Sequence, residues 1–286
     1  MTLRDGIKHP LSAPVFAGLE TLESLGLLAE SSLRDDIRVL DDYADVLISA
    51  HAPANAPDGS RLNIAATDSD FREMSIGMIT AYIDEARRYP NVRQVNIHFA
   101  PRRWIEETQT RGQEGDRDLL IDAVRRIASH ADKQDIEIVM ENGTSYWKDI
   151  DESVEPETLD WTTRNRYFGS TPEHWIEVCE DVDRDNVGLC LDSSHICTYA
   201  QAFPESEREE RVMAFLKRPE MIRHVHWSDN YLYDTRGRND SHLSVGKGTL
   251  PTEIHRQIKQ LDATILLEHF YTVQELKEEL LYIDSL

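Results

Sequence analysis

Six short apolar runs in this chain each lead into a side chain that can hold a metal ion, and this regularity constrains the fold more than any other feature. Val46-Leu47-Ile48-Ser49-Ala50 runs into His51, Arg93-Gln94-Val95-Asn96-Ile97 into His98, and Ile136-Glu137-Ile138-Val139-Met140 into Glu141. Farther along, Val187-Gly188-Leu189-Cys190-Leu191 runs into Asp192, Ile222-Arg223-His224-Val225-His226 ends on its own histidine, and Ala263-Thr264-Ile265-Leu266-Leu267 runs into Glu268. As parallel strands of one closed sheet, these runs would bring all six side chains together at the carboxyl end, where barrel active sites are built.

The segments between the runs carry helical periodicity, the alternation expected of βα units around a parallel sheet. Residues 70–89 place Phe71, Met74, Met78, Ile79, Tyr82 and Ala86 on one apolar face, and residues 116–133 do the same with Leu119, Leu120, Ala123, Ile127 and Ala131. Thr171-Pro172-Glu173, Pro251-Thr252-Glu253 and Thr272-Val273-Gln274-Glu275 read as helix starts. The expected architecture is one domain over residues 1–286, a single (β/α)8 TIM-type barrel of the usual size for that fold, about 250 residues. The first βα unit is the exception: residues 13–31 lack a clean strand, helix, strand order, which predicts a compressed or irregular start.

Composition narrows the function. A net charge of −22 opposes polyanions, whereas proteins that grip a nucleic-acid backbone carry a basic stripe. Only seven of the 31 cations are Lys, so the acidic surface also fits adaptation to high salt, and charge alone does not exclude a local basic groove. No apolar stretch approaches the roughly 18 residues of a membrane span, and Met1-Thr2-Leu3-Arg4-Asp5 opens no apolar leader, which together predict a cytoplasmic protein. Cys179, Cys190 and Cys197 form no CxxC pair and read as buried thiols.

Glu141, Asp192, His226 and Glu268 offer three carboxylates and one imidazole, a set suited to a divalent ion such as Mn, Mg, Co or Zn and unlike a structural thiolate zinc site. His51, His98, His195, Asp240 and His242 are additional candidate ligands. Asn142, His224 and His269 are read as facing away from the ligands, and Asp229 as either orienting a ligand or opening a turn.

Two long loops follow ligands, at residues 143–170 and 230–249, as functional loops on a catalytic face do. The first is acid-rich and polar, and its aromatics, Trp147 and Trp161 above all, suit a lid over a polyhydroxylated ligand. They would equally anchor the loop or bury a subunit contact. Arg236, Arg238, Arg102 and Arg103 are candidates to clamp an anionic group, and the glycines of Gly246-Lys247-Gly248 would let backbone N–H groups, with Lys247, approach an anion.

Ser49-Ala50-His51-Ala52-Pro53, Asn96-Ile97-His98, Met140-Glu141-Asn142, Leu191-Asp192-Ser193-Ser194-His195, His226-Trp227-Ser228-Asp229-Asn230, the segment from Asp240-Ser241-His242 to Gly246-Lys247-Gly248, and Leu267-Glu268 together resemble the xylose isomerase-like TIM barrel superfamily. That superfamily holds sugar isomerases and epimerases together with endonuclease IV. In the first branch, the resemblance implies one divalent ion on Glu141, Asp192, His226 and Glu268. Glu141 and Glu268 would move the proton of an enediolate mechanism, with His195 near a small sugar or sugar phosphate. In the second, it implies three zinc ions on all nine residues and cleavage of a phosphodiester in abasic DNA. His98-Phe99-Ala100-Pro101 and Glu141-Asn142-Gly143-Thr144-Ser145 depart from that second branch, and the charge opposes DNA. The first branch is therefore the expectation, the trinuclear phosphodiesterase the alternative, and a barrel that binds a metabolite without turnover the third reading. The resemblance is also compatible with a homo-oligomer.

Overall fold

The computed structural model describes residues 7–8, 18–31, 36–104, 109, 111–269 and 272–286. Residues 1–5, and part of the weakly patterned stretch 13–31, lie outside the described residues. Eight parallel strands follow one another in sheet order: β1 (Ile7–Lys8), β2 (Ala29–Ser31), β3 (Leu47–His51), β4 (Gln94–His98), β5 (Glu137–Glu141), β6 (Val187–Asp192), β7 (Ile222–Trp227) and β8 (Thr264–Leu267). β1 lies beside β8, which brings the two ends of the sheet together as a barrel requires.

Helices pack outside this sheet: α1 (Leu19–Leu25), α2 (Ser69–Ala86), α3 (Arg117–Asp132), α4 (Trp161–Arg164), α5 (Pro172–Val182), α6 (Ser193–Ala200), α7 (Glu205–Met213), α8 (Thr252–Lys259) and α9 (Val273–Ser285). Five of their starts, those of α2, α3, α5, α6 and α9, are set by short polar side chains that satisfy otherwise unpaired N–H groups. Asp68 accepts from Phe71 N–H, Asp116 from Asp118 and Leu119, and Thr171 from His174, while Thr272 and Glu275 close a reciprocal capping box. Pro251 instead holds the capping position of α8 with no side-chain bond, and Thr252 is already helical.

The start of the barrel is compressed, as residues 13–31 suggested. β1 has two residues and β2 three, and 3-10 turns at Ile37–Val39 and Asp41–Tyr43 replace a full helix between β2 and β3. One apolar cluster unites the outer faces of the strands with the inner faces of the helices. Although residues 143–170 are acid-rich and polar, Tyr167 and Phe168 from this loop belong to that cluster. Composition averaged over the loop hides the few aromatics that it buries.

Candidate metal centre and active-site cavity

Strand register sets the site. Glu141 pairs across to His98 on one side and Cys190 on the other, and Asp192 pairs to His226, so the carboxyl-terminal residues of β4 to β7 come to one end of the barrel. Glu268 follows β8 directly. β6 passes without a loop into α6, and Asp192 caps that helix by accepting from Ser194 (2.7 Å) and His195 (3.1 Å). The capping turn brings His195 back beside Asp192.

The nine expected residues form one connected cluster. His51, His98 and Glu141 make one group, Glu141, Asp192, His226 and Glu268 a second, and Asp192, His195 and His242 a third. Within each group, candidate ligand atoms lie within 4.8 Å of one another. Asp240 joins the third group, 2.8 Å from His242 and 3.2 Å from His195. Asn96 donates to Glu141 (2.5 Å) from inside the barrel. Cys190, His224 and His226 form a further buried group below the site.

Histidine has two ring nitrogens, so the partner of the outer one determines what the inner one can do. His51 Nδ1 donates to the Ala52 carbonyl (2.9 Å), His195 Nδ1 to Asn142 (2.7 Å) and His242 Nδ1 to Glu268 (2.7 Å). His226 Nε2 faces the buried Glu30 carboxylate at 3.3 Å. In all four, the inner nitrogen points at carboxylate oxygens, an arrangement that needs a cation or a second proton between them. His98 differs: Arg61 Nη2 lies 2.6 Å from its Nδ1. A guanidinium can only donate, so the proton of a neutral His98 ring sits on Nε2, 3.5 Å from Glu141.

The carboxylates fit the same requirement. Asp192 Oδ2 is buried and takes no hydrogen bond among the described residues, as suits an atom that binds a cation. Burial lifts the Asp192 carboxyl to about 6 against the pull of His195 and His242. Burial opposes charging of His242, but Asp192 and Asp240 outweigh it and raise this imidazole to about 10. Burial likewise opposes ionisation of Glu141, and His226 and His98 still hold it well below the usual carboxylate range. Oxygen and imidazole donors without thiolate suit Mn, Mg, Co or Zn.

Above the cluster opens a cavity of about 240 Å³. Its polar side is Glu141, His195, Asp240, His242 and Glu268, and its other walls include Arg61, Phe99, Asn142, Gly143, Thr144 and Tyr167. Gly143 is needed at the wall, since a Cβ there would meet the Tyr167 side chain at 2.7 Å. A larger, open depression of about 720 Å³ lies at the amino ends of β5 and β6, on the opposite face.

Residues 17–286 match the sequence model of a family described as xylose isomerase-like TIM barrel. The chain belongs to this family. An uncharacterised protein of Methanocaldococcus jannaschii, MJ1311, is 30% identical over 105 residues, 36% of this chain. The match spans about a third of that relative's length, 32%. A D-tagatose 3-epimerase-like protein of known structure is 22% identical, with 99% of this chain and 98% of that one covered and a TM-score of 0.66. The TTHB071 protein of Thermus thermophilus, solved after soaking with ZnCl2, is 19% identical over 99% of this chain and 97% of its own, with a TM-score of 0.62. These two structures share the fold.

On this xylose isomerase-like barrel, several residues lie elsewhere than the sequence suggested. Trp147 and Trp161 do not line the cavity. Trp147 is buried and donates to the Thr198 carbonyl (2.8 Å), and the two rings meet edge to face at 4.8 Å. Arg238 covers Trp147 and reaches the Asp151 and Glu152 carbonyls, while Arg236 pairs with Asp234. Arg238 therefore ties the two long loops together, while Arg236 stays within its own. Arg102, Arg103 and Lys247 are exposed and outside the cavity lining. The glycine loop does wrap an anion, but that anion is Asp229, which accepts from Gly246 (3.0 Å), Asn230 (2.8 Å) and Leu250 (3.1 Å). Asp229 thus shapes the loop that carries Asp240 and His242.

His224 also departs from expectation. It lies two residues before His226, so the period of two puts both rings inside the barrel, where His224 donates to or accepts from Glu30 at 2.7 Å. Asn142 does turn aside, clasping the Asp192 backbone, and His269 pairs with Glu279 on α9. Pattern reading missed Glu30, Arg61 and Tyr167. For Arg61, the available signal was its place in the loop after β3, on the carboxyl face.

Proposed function

We propose that this protein is a divalent-metal-dependent enzyme that isomerises or epimerises a small polyhydroxylated carbonyl compound. The observation that carries this reading is the cavity of about 240 Å³, walled by Tyr167 and Phe99 and lined by the carboxylates of Glu141 and Glu268. Such a volume suits a molecule of a few carbons rather than a duplex. The epimerase-like relative of similar fold points the same way.

Glu141, Asp192, His226 and Glu268 would hold the ion, which when bound supplies Lewis-acid polarisation of adjacent carbonyl and hydroxyl oxygens. Glu268, whose side chain keeps 22% exposure against 3% for Glu141, is the carboxylate open to substrate. It takes the proton from the carbon next to the carbonyl, leaving an enediolate. Glu141, ionised at rest, takes the proton of the neighbouring hydroxyl and gives it to the carbon skeleton while the proton on Glu268 passes back to oxygen, so the C–H bond broken at one position is remade there or at its neighbour. His195 and His242 donate to hydroxyl oxygens, and Tyr167 and Phe99 keep bulk water from the carbanionic carbon.

A second reading rests on the three ligand groups that share Glu141 and Asp192, an arrangement that would suit several zinc ions and a phosphodiester. The Arg61 contact weighs against its full form, because it leaves the inner nitrogen of His98 protonated. The discriminating experiment incubates the Mn- or Zn-loaded protein with D-tagatose, D-fructose and D-ribulose in deuterated water. Deuterium entering the carbon beside the carbonyl is expected, and its loss on chelation ties it to metal. Incision of an abasic duplex without any sugar exchange would replace the first reading by the second. Metal binding without either reaction would leave a ligand-binding barrel.

A further inference from the structure

We propose that Arg61 forms an anion subsite and that the substrate carries a carboxylate or phosphate. The inference rests on the isomerase reading above and narrows its substrate class. Among the residues lining the cavity, Arg61 is the one lysine or arginine, while Glu141, Asp240 and Glu268 line its floor. The cavity is therefore polarised, with carboxylates at the ligand cluster and a fixed cation on the wall.

The side chain is held ready. Gln109, buried at 5% exposure, accepts from Arg61 N–H (2.8 Å) and donates to its carbonyl (3.2 Å), which pins the backbone. The guanidinium lies over the Tyr167 ring, 5.7 Å from its centroid, and directs Nη2 to His98. Of its five N–H donors, one is taken by His98, and no carboxylate pairs with the group among the described residues. Of the other arginines of the carboxyl face, Arg102 is exposed outside the cavity and Arg238 is taken up by backbone carbonyls, while three are paired with acids. Arg236 is neutralised by Asp234, Arg103 by Glu114 and Arg111 by Asp68. An arginine with no carboxylate partner among the described residues of an acid-rich protein, and immobilised beside the reaction centre, is matched by an anionic group on the ligand. Its fork suits the two oxygens of a carboxylate or phosphate.

The test uses the Mn-loaded full-length protein and calorimetric titration with three probes: D-ribulose, D-ribulose 5-phosphate and D-glucuronate. Phosphate and carboxylate arms distinguish the two sources of the same charge. The expected result is that one anionic probe binds about ten- to a hundred-fold more tightly than D-ribulose, the scale of one charge-assisted contact. In Arg61→Met, that ratio falls toward one, and in Arg61→Lys it is partly kept. Unchanged metal content and melting temperature show that both variants are folded. Equal binding of all three probes by the wild type, or a preference that survives Arg61→Met, overturns the subsite while leaving isomerisation intact. If no probe binds and abasic duplex is cut, the isomerase reading falls, and the subsite falls with it.

Discussion

Glu30 offers the sharpest test of how the barrel interior prepares the proposed metal centre. It is fully buried on β2, accepts from Ser49 Oγ at 2.7 Å, and bridges His224 (2.7 Å) and His226 (3.3 Å). Burial opposes its ionisation, yet His224 and His226 hold it well below the usual carboxylate range. Its charge keeps the His226 proton on Nε2 and leaves Nδ1 facing Glu268 (2.9 Å) and Glu141 (3.4 Å). Replacing it by the similarly sized methionine withdraws the acceptor from His226, His224 and Ser49 together. Loss of such a supporting group costs about 10–100-fold in metal affinity, equivalent to about 1.4–2.7 kcal/mol. Each buried donor left without its acceptor adds about 1–3 kcal/mol to the loss of stability. Glu30→Gln is milder, because its amide oxygen can still accept from His226 while its NH2 group donates to His224. The assay is chelator-competition titration with Co(II) and Zn(II), paired with urea unfolding of the metal-free variants. The expected order of affinity is wild type, Gln, then Met. Glu30→Met binding metal as tightly as the wild type would refute the claim that Glu30 sets the His226 tautomer.

Three further outcomes follow from the same geometry. Glu268→Gln should lower turnover by about 10²–10⁴-fold, the usual contribution of an acid–base group, with a smaller effect on substrate affinity; wild-type exchange with metal still bound would remove Glu268 from the proton path. Trp147→Ala should destabilise the fold by about 3 kcal/mol or more, as for other buried aromatics, while KM stays nearly constant; a raised KM with unchanged melting temperature would restore the lid reading. In metal-free protein, His242 titrates near 10 rather than the unfolded value of about 6.5, so its contribution to stability is complete below about 6.5 and is lost as pH rises toward 10. Asp192, raised to about 6, has the same sign, but its contribution is lost between about pH 4 and 6, below this interval. Chelated protein should therefore be less stable to urea at pH 9 than at pH 6, and metal affinity should rise over the same interval, since ion and protons compete. Greater stability of the chelated protein at pH 9 would contradict this.

The sequence by itself determined the strand ends and hence the positions of the candidate ligands. A buried parallel strand is a continuous apolar run, so the polar residue that ends it is visible without coordinates, and closure of the sheet puts those residues at one end. His51, His98, Glu141, Asp192, His226 and Glu268 were legible for this reason, and Asp192-Ser193-Ser194-His195 was legible as one motif. Only the tertiary structure decided what surrounds them. Glu30 meets His224 across 194 residues of chain, and Arg61 meets His98 across 37, in contacts set by barrel closure and loop packing that leave no periodic trace. The aromatics of residues 143–170 show the same limit. Trp147 and Tyr167 belong to one polar loop, yet one anchors that loop to the Thr198 carbonyl and the other walls the cavity. A local pattern reports which face of an element is buried, whereas the partner of a loop side chain depends on every element that packs around it.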